Sequence, residues 1–235
     1  MGFYRGPNIV TNGLVLNLDA ANQKSYASGS TTWRDLSGNS NNGTLTNGPT
    51  FSSANGGSIV FDGINDYVEC GTTLGPLNSW TANAWVINRK TTGAAIFVAR
   101  SGGSPLYDQN IILGWGSTVN NRFYVSGKTT TGVYFSSCTS SFSPNTSSIY
   151  NVVGCFDAPS TTLSLYINGV LDNSKVVGTL FTTGSNLFTQ IGCSDGLTLG
   201  NFASGNIYNA SIYNRALTAS EVLQNYNSIK SRFNL

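Results

Sequence analysis

Ser58-Ile59-Val60-Phe61-Asp62-Gly63-Ile64-Asn65-Asp66-Tyr67-Val68-Glu69-Cys70 and Ile207-Tyr208-Asn209-Ala210-Ser211-Ile212-Tyr213-Asn214-Arg215-Ala216-Leu217-Thr218 are the stretches that decide the fold. The first reads as two short strands around a Gly/Asn/Asp turn, because β-branched and aromatic residues flank a cluster that tolerates tight backbone. The second reads as a strand that runs into a helix. Thr218-Ala219-Ser220-Glu221 matches a capping box, in which hydroxyl and carboxylate satisfy each other's end amides. Leu217 and Val222 hold the staple positions beside it. Val222, Tyr226, Ile229 and Phe233 recur at helical spacing, which predicts a helix over 218–233 with one apolar stripe lying against the strands.

Outward from these segments, short apolar runs recur between Gly, Asn and Ser. They include Leu14–Leu18, Ala94–Val98, Ile111–Trp115, Arg122–Val125, Val133–Phe135 and Tyr150–Gly154. Such a series predicts an all-β sandwich. One hairpin is specific. Leu163, Leu165 and Ile167 alternate with polar and aromatic positions before Asn168-Gly169, which supplies the two positive-φ residues of a type I′ turn and pins the register. Trp80 and Trp85, five apart on one run, point to opposite faces if that run is a strand. No linker composition or repeat divides the chain, so residues 1–235 are read as a single domain.

Hydrophobic residues make up 40% of the 235, enough for a core, while charged residues make up only 9%. Solubility then rests on Asn, Ser, Thr and Gly, and a neutral polar surface suits neutral partners such as subunits or sugars. Twelve basic residues with no run among them and a net charge of +2 give no electrostatic footprint for nucleic acid. Cys70, Cys138, Cys155 and Cys193 lack paired spacing, and with no histidine in the chain a zinc site is not expected. They read as small buried hydrophobes. The start, Met1-Gly2-Phe3-Tyr4-Arg5, has no apolar leader segment and no stretch approaches transmembrane length, so synthesis in a cytosol without membrane insertion is expected.

Several blocks in order resemble the laminin G-like branch of the concanavalin A-like sandwiches. They are Gly13–Asn22, Trp33-Arg34-Asp35-Leu36-Ser37-Gly38-Asn39 with Asn42-Gly43-Thr44-Leu45, Phe61-Asp62-Gly63 with Asp66-Tyr67-Val68, the Trp85-Val86 strand, Leu165–Val170, and Tyr213–Leu217. The resemblance implies a jelly-roll β-sandwich with one C-terminal helix. The start Gly6–Leu14 and the ending Glu221–Asn227 are also similar to stand-alone proteins of this type in tailed bacteriophages, cyanophages among them. That likeness implies a non-catalytic virion protein, either a capsid decoration or a fibre or tail accessory, made in the host cytoplasm. It would contact other virion proteins or further copies of itself and adhere to cell-surface glycans. A free-standing lectin module is the alternative, and a glycoside hydrolase a third.

A retaining glycosidase needs two carboxyl groups about 5–5.5 Å apart. Glu69 and Glu221 are the only glutamates. Glu221 is taken by the helix cap, Glu69 stands at opposite parity to Asp66, and the Gly63-Ile64-Asn65 turn separates Asp62 from Asp66. Without histidine, serine or cysteine triads are excluded within one chain. No cofactor is required by this reading. Calcium is the candidate ion, since the resemblance implies that related domains hold one; Asp19, Asp35, Asp62 and Asp66 are the acidic groups in the matching blocks. The competing reading is that these aspartates serve turns. For a glycan, the expected cluster is Trp115 with Tyr107, Asp108, Asn110 and Arg122, an aromatic face beside polar forks. The bland reading makes Trp115 core.

Overall fold

The computed structural model describes residues 7–71, 77–91, 94–102, 111–116, 121–128, 135–180, 187–193 and 200–235. In chain order the strands are β1 (Leu14–Asp19), β2 (Thr32–Trp33), β3 (Gly43–Thr46), β4 (Thr50–Ser52), β5 (Ser58–Asp62), β6 (Tyr67–Glu69), β7 (Trp80–Asn88) and β8 (Ala95–Gly102). They continue as β9 (Ile111–Gly116), β10 (Arg122–Lys128), β11 (Phe135–Thr139), β12 (Tyr150–Asp157), β13 (Thr162–Ile167), β14 (Val170–Val176), β15 (Leu187–Ile191) and β16 (Ser204–Tyr213). One sheet has the order β14-β13-β12-β7-β16-β5-β4, and the other β11-β10-β9-β8-β15-β6-β3-β2. All described pairings are antiparallel, the arrangement of a jelly-roll sandwich.

The long strand β16 organises the first sheet. One edge pairs β7; the other is shared, with β5 along its first half (Asn206 opposite Val60) and β1 along its second (Ala210 opposite Leu18). Alternation then sorts side chains. Along β7, Trp80, Ala82, Ala84 and Val86 enter the core between the sheets, against Leu16, Phe61, Phe156 and Leu165. Trp85 joins a different cluster with Tyr208 and Phe233. The opposite-face reading of Trp80 and Trp85 holds for this reason.

A third layer covers the outer face of the first sheet. Helix α1 (Ala219–Ile229) is shorter than the expected 218–233, because Lys230–Phe233 tighten into a 3₁₀ turn. That turn lays Phe233 on Trp85 with ring centroids 4.8 Å apart. It also brings Arg232 to Asp19 Oδ1 at 2.9 Å, with further bonds to the carbonyls of Asn55 and Gly57. Tyr226 stacks on Trp85 at 5.5 Å. At the other end the capping box is complete, and Leu217 and Val222 pack in one cluster with Tyr166 and Tyr213. Arg215 grips the capping Glu221 with two bonds of 2.9 and 2.6 Å. That grip holds the Glu221 carboxyl down at about 2.

In the hairpin, Asn168 (φ 52°) and Gly169 (φ 80°) make the expected turn. A Cβ on Gly169 would stand 2.9 Å from Tyr226, so the turn also seats the helix. The register is not continuous, however. It shifts between Leu165 and Tyr166, and Asp172 of β14 is the extra residue, accepting from Ser141 N and Oγ at 2.7 Å each. Of the expected run Val133–Phe135, Phe135 opens β11, while Val133 and Tyr134 lie outside the described residues. All four cysteines are buried, as small hydrophobes would be. Burial pushes the Cys155 thiol up to about 11, which keeps it protonated.

Candidate functional site

Between the outer face of the first sheet and the C-terminal helix runs a cleft of about 660 Å³. Its floor is polar and comes from strand interiors: Asn17 of β1, Asn83 of β7, and Asn209 and Ser211 of β16. Asn17, Asn83 and Ser211 point outward because their neighbours point into the core, and Asn209 joins them because an irregularity between Ile207 and Asn209 sets it on the same outer face as Tyr208. The helix contributes Asn225 and Ser228, and the segment Pro7–Ile9 forms a rim. Asn17, Asn83, Asn209, Ser211 and Asn225 are all at most 8% exposed, so the polar groups lie at the bottom of the cleft.

These side chains hold one another. Asn83 Nδ2 donates to Asn209 Oδ1 at 3.2 Å and to Ser211 Oγ at 3.1 Å. Asn209 Nδ2 donates to Asn17 Oδ1 at 3.0 Å and to the Leu18 carbonyl at 2.8 Å. Behind the floor, Asn151 Nδ2 donates to Asn83 Oδ1 at 2.6 Å. A second group fixes the rim: Val10 N donates to Asn225 Oδ1 (2.8 Å), Asn225 Nδ2 to Tyr213 Oη (3.0 Å), and the Tyr213 hydroxyl to the Val10 carbonyl (3.0 Å). Burial pushes the Tyr213 phenol up to about 12, so it stays neutral and can serve as donor and acceptor at once. At the edge, Asp19 Oδ1 accepts from Ala21 N and Arg232 Nη1, which leaves the cleft with a neutral floor and one neutralised carboxylate. The array offers donors and acceptors without an acid, base or nucleophile poised for proton transfer.

The expected residues lie mostly elsewhere. Trp115 is 2% exposed and packs edge-on against Phe123 at 5.7 Å within the main core, so no sugar can reach its face. Its parity with Ile111 and Leu113, both fully buried, is the physical reason. Arg122 precedes core-facing Phe123 and so stands on the other side of the sheet, where Nη1 donates to the Ser140 carbonyl. Trp115 and Arg122 therefore do not form one site. Tyr107, Asp108 and Asn110 lie outside the described residues.

Of the four aspartates, Asp62 and Asp66 lie side by side, and Asp19 and Asp35 stand apart with other partners. Asp35 accepts from Asn17 N, Ser37 N and Asn41 N, and Asp62 Oδ1 from Ile64 N and Asn65 N. Asp66 Oδ2 accepts from Asp62 N, and burial raises its carboxyl above the usual range. Asp19 alone reaches the cleft. Asp19, Asp35, Asp62 and Asp66 are thus turn and strap acceptors, and among the described residues no three acidic or thiol groups gather as a metal site.

The floor was missed by sequence reasoning, although a signal exists. Asparagine is depleted in strands, yet Leu16-Asn17-Leu18, Ala82-Asn83-Ala84, Tyr150-Asn151-Val152 and Tyr208-Asn209-Ala210 place it inside apolar ones.

Solved structures share this architecture. The binding domain of Paraclostridial Mosquitocidal Protein 1 superposes with a TM-score of 0.70 at 17% identity, covering 93% of this chain and 52% of that one. Domain 4 of AbnA, a GH43 extracellular arabinanase from Geobacillus stearothermophilus solved with arabinotriose, gives 0.66 at 19% identity, covering 91% and 98%. The receptor binding domain of botulinum neurotoxin type G gives 0.61 at 17% identity, covering 92% and 51%. This chain therefore spans about half the length of the first and third, and all of them share the fold at low identity. No curated protein sequence matches the chain. The family profile described as the concanavalin A-like lectin/glucanases superfamily matches residues 62–223, more than half of the chain, and the chain belongs to that family.

Proposed function

We propose that this protein is a non-catalytic module that binds a neutral glycan in the cleft beneath its C-terminal helix. The observation that carries this reading is the buried carboxamide floor of Asn17, Asn83 and Asn209 with Ser211. Fixed amide and hydroxyl groups match the alternating donors and acceptors of a sugar, and a floor without net charge favours an uncharged ligand. The absence of histidine and the engagement of Glu221 by Arg215 support a binding role over hydrolysis. Arabinotriose in the AbnA domain and receptor binding in the toxin domains are properties of those proteins that make the same class of ligand the first to try.

The setting proposed is a virion, as a decoration or tail accessory. It is supported by the resemblance of both chain ends to phage proteins, and by a charged fraction of only 9%, which suits close packing against other subunits. Quantitative mass spectrometry of purified particles tests it, and recovery of the protein only in the particle-free fraction overturns it. For the ligand, the test is an array of neutral and anionic oligosaccharides read at low and high salt. Retention on neutral members with no salt dependence is expected. Binding restricted to anionic members, or none at all, removes the proposal.

A further inference from the structure

A second, smaller cleft of about 410 Å³ opens at the side of the sandwich, where β4 ends the first sheet and β2 ends the second. Its volume falls within the range of about 300–1,000 Å³ usual for small-molecule sites. The Tyr26 and Phe51 rings stack there with centroids 5.3 Å apart and planes 30° apart. Tyr26 is 5% exposed, whereas Phe51 is only half-buried and keeps part of its surface to the cleft. Leu45 and buried Pro49 extend the apolar wall, and Thr31 and Thr50 supply hydroxyls around it, while the Ser30 hydroxyl donates to the Thr32 carbonyl.

The wall is held from behind. The Tyr26 hydroxyl donates to the Ser30 carbonyl at 2.9 Å, Thr32 N donates to Ser30 Oγ at 2.9 Å, and Leu45 N donates to the Thr31 carbonyl at 2.8 Å. Gly29 and Gly48, both at positive φ, border the opening, and a Cβ built on either meets nothing within 4 Å. Of the two rings, the half-buried Phe51 is the one with surface left to the cleft.

The geometry points to a second sugar subsite, in which one pyranose or furanose ring packs its apolar face on Phe51 and directs hydroxyls to the Ser/Thr rim. Three features select this occupant. No charged side chain lines the cleft, so an anionic ligand or charged peptide gains nothing there. The bordering strands are two and three residues long, too short to template an added peptide strand. A wholly apolar ligand would cover the hydroxyl rim without pairing it. The inference rests on the reading of the protein as a binder of neutral glycans but uses none of the carboxamide cleft's residues. Two separate subsites would let one polysaccharide surface engage the protein twice, raising avidity without a stronger single contact.

The test is an amide NMR titration of the full chain with cellotriose, maltotriose and arabinotriose at millimolar concentrations. Saturable shifts at Ser28–Thr31 and Gly48–Phe51 are expected with at least one sugar. Thr50→Arg, an exposed change at the mouth, should weaken that response about tenfold or more while leaving any response around Asn83 and Asn209 intact. Phe51→Ala should abolish it; because that ring also packs on the core, its spectrum is first checked for dispersion. Shifts confined to the region of Asn83 and Asn209 overturn this inference and leave the first cleft standing. An unchanged affinity in Thr50→Arg also overturns it. No shift anywhere with any of the sugars overturns both.

Discussion

Replacing Asn83 by alanine isolates the carboxamide network, because this one side chain joins its front to its back. The change deletes three hydrogen bonds: to Asn209 Oδ1 (3.2 Å), to Ser211 Oγ (3.1 Å), and from Asn151 Nδ2 (2.6 Å). The first two partners line the cleft, so water can replace the lost amide at a cost near zero to about 1 kcal/mol each. Asn151 has no such relief. It is 1% exposed, its Oδ1 already lacks a partner, and its Nδ2 would keep only a 3.4 Å contact with the Ala84 carbonyl. A buried donor left in that state costs about 1–3 kcal/mol. The sum is a destabilisation of about 1–5 kcal/mol, read as a lower urea midpoint at unchanged slope, with tryptophan fluorescence as the probe. Adding Asn151→Ala removes the orphan, so the double variant should be less unstable than the two single changes combined, by at least about 1 kcal/mol. A loss below about 0.5 kcal/mol for Asn83→Ala, or strict additivity in the cycle, would refute the reasoning.

Two further outcomes follow from the helix and its attachments. The Glu221 carboxyl is lowered from its ordinary 4.5 to about 2, chiefly by the Arg215 bonds, so its stabilisation is complete above pH 4.5 and disappears as the pH falls toward about 2. The full shift corresponds to roughly 3 kcal/mol, and solvent screening of a pair 27% and 26% exposed reduces this to about 1–2 kcal/mol. Glu221→Gln should remove that part of the acid dependence, and a variant that loses stability between pH 4.5 and 2 as steeply as the parent contradicts the assignment. Gly169→Ala places a methyl 2.9 Å from Tyr226 at φ 80°, and should lower stability by about 1–3 kcal/mol in a thermal melt. An unchanged Tm would mean that the turn does not seat the helix.

Local grammar carried most of the fold. The Asn168-Gly169 turn, the Thr218–Glu221 capping box and the opposed faces of Trp80 and Trp85 depend on a few adjacent residues, and each is present. The break at Asp172 was not legible, because a bulge answers to a partner elsewhere, here Ser141. The site was illegible for the same reason on a larger scale. Asn17 and Asn209 meet across 192 positions in the chain, and neither differs in type from the many asparagines that fill its turns. Trp115 was misplaced as a ligand platform although its alternation with Ile111 and Leu113 already favoured the core. Gly114 and Gly116 on either side open no access to its ring, because side chains at those positions would stand on the opposite face of the sheet.

The most direct measurement is calorimetric titration of the best neutral oligosaccharide from the array into the parent protein and into Ser211→Ala. Ser211 lines the cleft, contributes only a hydroxyl, and its loss leaves Asn83 still bonded to Asn209. With the variant's unfolding free energy in urea unchanged within about 0.5 kcal/mol, the account predicts an affinity about tenfold weaker, the loss of one buried hydrogen bond to the ligand. Equal affinity in the folded variant would place the ligand elsewhere and contradict the cleft as the seat of recognition.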